Sequence, residues 1–155
     1  MASTITASTL TVTITESIEL NGKDQGGSNT IAIGSVATIS KRIIDVPASE
    51  VEIIAMSTAV ASGTFIEGDV RYIRITNLDD TNHVTLTFKD EDATEFAIKL
   101  DKGQSFIYNG DLSGGVVDTM HAGGSALTVS LNDLVNITAL ADTAACDVEV
   151  FIASA

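Results

Sequence analysis

The sequence predicts an all-β fold, a β-sandwich of jelly-roll type with about nine to eleven short antiparallel strands. Three observations point to it. Apolar and polar residues alternate along most of the 155-residue chain. β-branched residues fill those alternating runs, where they suit a pleated surface. Turn clusters of Gly, Asn and Asp recur every 8–12 residues or so. Aromatics make up only 5% of the chain while hydrophobic residues reach 45%, so Val, Ile and Leu must build the core. That suits two sheets packed ~10 Å apart.

The elements follow in order. Residues 1–9 are small and polar and are predicted to be a flexible arm, disordered or ordered only by a neighbouring subunit. The single sandwich domain then runs from 10 to 155. Leu10, Val12 and Ile14 alternate with threonines, and Ile18 and Leu20 keep their parity, which predicts a half-buried strand. Residues 21–29, rich in Gly and Asn, read as a loop. Strands are predicted at 30–33 and 36–46, ended by Pro47, which has no N–H to donate. Residues 51–61 are the one stretch with helical potential, but their β-branched residues favour a strand.

The clearest strand is 70–77 (VRYIRITN). Turn chemistry at 77–82 joins it to 83–89, where Val84, Leu86 and Phe88 share one face. After Asp90-Glu91-Asp92 come strands at 95–100 and 104–109, separated by Asp101-Lys102-Gly103. The Gly-rich stretch 110–125 is irregular. Strands at 126–131, 134–140 and 146–152 close the chain.

Composition excludes several functions. Acids outnumber bases 21 to 8, a formal charge of −13, which argues against direct nucleic-acid binding. The single cysteine, Cys146, excludes an internal disulfide framework. No window has the ~20 apolar residues that span a bilayer. The N-terminus has no basic region followed by an apolar run, so synthesis and retention in a cytoplasm are expected. Glycine pairs such as Gly26-Gly27 lack the Gly-Lys-Ser/Thr of a phosphate loop.

Catalytic signals are equally sparse. Only His83 and His121 could serve as the histidine base of a nucleophile, one Cys with two distant His does not make a zinc site, and no H-x-H pair or nucleophile elbow exists. No enzyme activity and no cofactor are expected. Asp90-Glu91-Asp92 with Glu95, and Asp79-Asp80 with Asn77 and Asn82, carry oxygen ligands suited to Ca²⁺, but at no EF-hand spacing. Carboxylates that cap turns explain them more simply.

Arg71 and Arg74 stand out in so acidic a chain. Their opposite parity sets them on opposite faces of one strand. Cross-strand ion pairs account for them, or one of them meets an acidic patch on another copy. His121, in a glycine-rich loop, is a solvent-exposed or interface residue.

One stretch carries a resemblance. VRYIRITNLDDTNHVTLTF followed by DATEFAIKLDKGQSFIYNG resembles the hairpin pattern of small virion proteins of tailed bacteriophages. The matching residues are Arg74, Asn77, Asp79, Thr81, Asn82, Leu100, Gly103 and Phe106, and the matched stretch covers about a quarter of the chain. The resemblance implies a non-enzymatic capsid decoration, or cement, protein. Such a protein would be made in the host cytoplasm and carried on the capsid surface. Its partners would be the major capsid protein and copies of itself, as a trimer or dimer. A tail-tube or fibre module is the alternative within the virion. A carbohydrate- or Ca²⁺-binding sandwich module is the alternative outside it. The expected contact residues are Thr4, Ile5, Thr6 and Thr9 of the arm, adding to a neighbouring sheet, together with Arg71, Arg74 and His121.

Overall fold

In the computed structural model, which describes residues 4–121, 126 and 129–155, every regular element is a β-strand. β1 (Ser8–Glu16) and β4 (Gly27–Val36) form a long antiparallel hairpin. Its tip carries the two-residue strands β2 (Glu19–Leu20) and β3 (Lys23–Asp24). Eight strands make the body: β5 (Thr38–Val46), β6 (Val51–Ser57), β8 (Val70–Asn77), β9 (Val84–Asp90), β10 (Glu95–Leu100), β11 (Ser105–Asn109), β12 (Leu134–Ala141) and β13 (Cys146–Ser154). A two-residue strand, β7 (Phe65–Ile66), runs parallel to β6.

The pairings of the body nest like a folded hairpin. β9 pairs with β10, β8 with β11, β6 with β12 and β5 with β13. Rolling that hairpin up adds β8 to β13 and β9 to β12. Two sheets result, ordered β11-β8-β13-β5 and β10-β9-β12-β6-β7. This nesting is the jelly-roll arrangement of a β-sandwich.

Alternation decides what lies between the sheets. β9 turns Val84, Leu86 and Phe88 inward, and β13 turns Cys146, Val148, Val150 and Ile152 inward, all at most 1% exposed. Ile73 and Ile75 of β8 and Ile53 and Ile54 of β6 join them. Four of the seven aromatics form one group around Phe88. Phe96 stacks on it at 4.8 Å between ring centroids, with Phe106 at 5.1 Å and Tyr108 at 5.8 Å.

A second, smaller core makes a third layer. Ile33 and Val36 of β4 cover Tyr72 and Ala153 on the outer face of the four-stranded sheet. Leu10, Val12 and Ile31 of the hairpin and Ile107 and Phe151 of the sheet surround them. β8 is therefore covered on both faces in its first half, where Val70, Arg71, Tyr72 and Ile73 are all buried.

Several expectations need correction. Residues 21–29 are not a loop. Asn21-Gly22 makes a tight turn at φ 53° and 72°, and the chain pairs again from Lys23. β4 begins at Gly27, opposite Glu16. Hydroxyl pairs hold this polar stretch in register, Thr13 to Thr30 at 3.0 Å and Thr15 to Ser28 at 3.2 Å. β1 starts at Ser8, inside the predicted arm, because Ser8 lies opposite Val36 across a bulge.

Within 126–131, residues 127 and 128 lie outside the described residues. The other four belong to no strand, so no strand runs the predicted length. Residues 51–61 split into β6 and a bend. Among the described residues, ten strands are longer than two residues, within the predicted nine to eleven.

The irregular stretch after β11 is tied to the body by backbone. Val116 N–H donates to Glu67 O at 2.8 Å, and Leu134 N–H to Val116 O at 3.1 Å. Gly115 makes this approach feasible. It sits at φ +70°, and a Cβ there would lie 2.1 Å from Glu67 O.

Candidate interaction surface

The hairpin creates the most distinctive surface of the molecule. Its inward stripe is Leu10, Val12 and Ile14 on β1, opposite Ile33, Ile31 and Asn29 on β4. The first two positions cover the sheet, but Ile14 is 45% exposed. From Thr13 to Gln25 every residue is exposed, including Ile18 and Leu20. The distal half therefore presents three large apolar side chains to solvent while burying almost nothing of its own.

Two grooves flank the base of the hairpin. One, of about 340 Å³, runs between β1 and the outer sheet face and is lined by Leu10, Val12, Ile14, Arg74, Ile107 and Phe151 among others. The other, of about 290 Å³, lies against Thr6, Ser8, Thr9, Val36 and Ile39. Leu10 is common to both. The remaining outer face, on β5, leaves Ile39 and Ile43 about as exposed as the hairpin tip.

A charged cluster crosses this face. Arg74 donates to Glu149 Oε1 at 2.7 Å and to Thr76 Oγ1 at 2.9 Å. Its guanidinium lies 5.9 Å from the Phe151 ring centroid. Lys41 Nζ stands 3.1 Å from the other Glu149 oxygen. The Lys41 ammonium, joined by Arg74 and opposed by desolvation, holds the Glu149 carboxyl below its ordinary pKa. Burial raises the Tyr72 phenol, and Arg74 opposes that rise.

The predicted contact residues are placed as follows. Thr4, Ile5 and Thr6 are exposed and precede the first strand, and Thr9 lies in β1. Thr6 and Thr9 line one groove and Arg74 lines the other, so the fold brings these to the hairpin base. Arg71 is elsewhere. It is 7% exposed, inside the domain, and donates to Gly68 O at 2.6 Å and Ser113 O at 3.4 Å. His121 is half-buried beside residues outside the described set. Sequence reasoning missed the exposure of Ile14, Ile18, Leu20, Ile39 and Ile43. Their alternation is that of buried strands, and no local signal says which strand lacks a cover.

The acidic turns cap backbone. Asp79 Oδ1 accepts from Thr81 N at 2.7 Å and Asn82 N at 2.5 Å, and Asn77 Oδ1 accepts from Asp79 N at 3.0 Å. Those backbone N–H groups lower the Asp79 pKa. Asp90 is 3% exposed. Burial by itself would raise its pKa, but bonds from Thr94, Asn132 and Asp92 N reverse the sign, and the pKa is lowered. Among the described residues, no group of three or more His, Cys, Asp or Glu side chains is arranged to hold a metal ion.

Among the described residues, side chains of catalytic type meet at His83. His83 Nδ1 lies 3.5 Å from Asp142 Oδ2. Cys146 is nearby, but its thiol donates to main-chain carbonyls, Ala144 O at 3.5 Å and His83 O at 4.0 Å. Burial and the surrounding aspartates push the thiol pKa up, the reverse of nucleophile activation. Compared with known protein families and with curated proteins, the chain matches no family model and none of those curated proteins.

Proposed function

We propose that this chain is a non-enzymatic structural protein of a virion, of the capsid decoration or cement type, and that it works by contact with the major capsid protein and with copies of itself. The observation that carries the reading is the hairpin. Its distal half exposes Ile14, Ile18 and Leu20 beside an open groove. Exposed apolar side chains grouped on a projecting element are what an interface needs and what a solitary protein avoids. Each such contact is modest, and many copies on a shell add them. The formal charge of −13 keeps an outer protein from binding the packaged genome. The phage-like turn pattern at Asn77–Asn82 points the same way.

The test separates purified particles from the producing lysate into heads and tails. A decoration protein sediments with heads. A variant carrying Ile14→Ser, Ile18→Ser and Leu20→Ser folds with an unchanged melting temperature but no longer joins them. Recovery with tails, or tube formation by the isolated chain, favours a tail-tube module. Recovery with neither fraction refutes both.

A further inference from the structure

We propose that β5 is a docking edge for β5 of a second copy, paired antiparallel about a two-fold axis at Ile43. This rests on the multi-copy reading above and names one of its contact surfaces. β5 ends the four-stranded sheet, and among the described residues no strand pairs with its second edge. Ile39, Lys41, Ile43 and Asp45 share the outer face, and all four are exposed. Natural edges of this length are usually blunted by Pro, bulges or charge. β5 carries such charges in Lys41, Arg42 and Asp45, yet it leaves Ile43 60% exposed just past the middle of its nine residues.

The order of side chains on that face is self-complementary. Lys41 and Asp45 lie two residues to either side of Ile43. A two-fold antiparallel pairing centred on Ile43 sets each Lys41 opposite the partner's Asp45 and stacks the two Ile43 side chains on the axis. Shifting the axis to Lys41 sets the two lysines against each other. Shifting it to Arg42 sets Lys41 against Ile43 and Ile39 against Asp45. Only the Ile43 centre satisfies both charges and covers the exposed isoleucine.

The charges inside one protomer favour the same exchange. Asp45 lies opposite Asp147 in the β5–β13 register, and these two, with Asp79 and Asp80, line an acidic recess. A partner's Lys41 would supply the cation this end of the face lacks. Lys41 can be shared, since Arg74 also pairs with Glu149, at 2.7 Å, and would hold it when Lys41 swings out. Pairing would join two four-stranded sheets into one continuous sheet.

Charge exchange and cross-linking test the register on the full chain. In sedimentation equilibrium, Lys41→Asp or Asp45→Lys alone should weaken dimerisation roughly tenfold or more, since each creates two like-charge pairs. The double exchange Lys41→Asp with Asp45→Lys should restore it. Mild oxidation should link Ile43→Cys into a disulfide dimer, because directly opposed Cα atoms ~4.5–5.5 Å apart lie within disulfide reach. Ile39→Cys should not link, its two copies being ~27 Å apart along the paired strands. Far-UV circular dichroism checks that each variant folds. A dimer indifferent to the charge changes, or linked through Ile39→Cys, overturns the β5 pairing and leaves the multi-copy reading standing. A wild-type chain that stays monomeric at every concentration also overturns the pairing, while its recovery with heads is judged separately.

Discussion

Arg74 and Glu149 meet at 2.7 Å on the outer sheet face, and Lys41 grips the second oxygen of the same carboxylate at 3.1 Å. The Glu149 pKa is lowered from 4.5, so the unfolded chain takes up this proton at higher pH than the folded one. The stability this group contributes is therefore present above pH 4.5 and is lost as the pH falls through the lower folded value. Asp90, with its lowered pKa, adds a loss of the same sign on acidification. Urea midpoints measured from pH 7 downwards should fall less steeply in Glu149→Gln than in the wild type. Lys41 is mostly exposed, so salt should narrow the difference.

The hairpin should detach without unfolding the body. Ile33 is 1% exposed, and its cluster is separate from the main core. Ile33→Ala should cost about 2–4 kcal/mol of hairpin docking. Hydrogen exchange would then quicken across 8–36, while amides of β9 and β12 keep their protection. Uniform loss of protection would mean that the third layer is part of the main cooperative unit.

Phe88 anchors the main core. It is fully buried and touches three other rings. Phe88→Ala should destabilise the whole domain by about 3–5 kcal/mol, read as a shift of the urea midpoint at constant slope.

Cys146 should be silent. It is 0% exposed with a raised pKa. A thiol reagent should modify it only as fast as the domain opens, and urea should abolish the protection. Rapid modification of the native chain would contradict its burial.

Much of the architecture was legible along the chain. The strands at 70–77, 95–100 and 134–140 were readable to within a residue or so, and in 95–100 alternation records the burial, with Phe96, Ile98 and Leu100 turned to the core. The turn at 77–82 was readable because Asn77 and Asp79 bond backbone N–H groups a few residues on, a local device. The distal hairpin was not legible between 21 and 29. Its polar residues bury nothing there, and its register depends on hydroxyl pairs between residues 13 and 17 positions apart. Arg71 and Arg74 could be assigned to opposite faces, but not to a buried and a groove-lining role. That difference comes from the loop over one face and the hairpin over the other.

Local pattern alone determined that this chain is built of strands, where most of them turn, and that its core is aliphatic. Period and turn chemistry act between near neighbours, and they are written in the order of residues. Only the tertiary structure decided which strands pair to build the expected jelly roll, that a hairpin covers part of one outer face, and that Ile14, Ile18, Leu20 and Ile43 stay uncovered. Burial depends on which distant segment arrives on top, and an isoleucine in an alternating strand has the same local pattern whether or not one does.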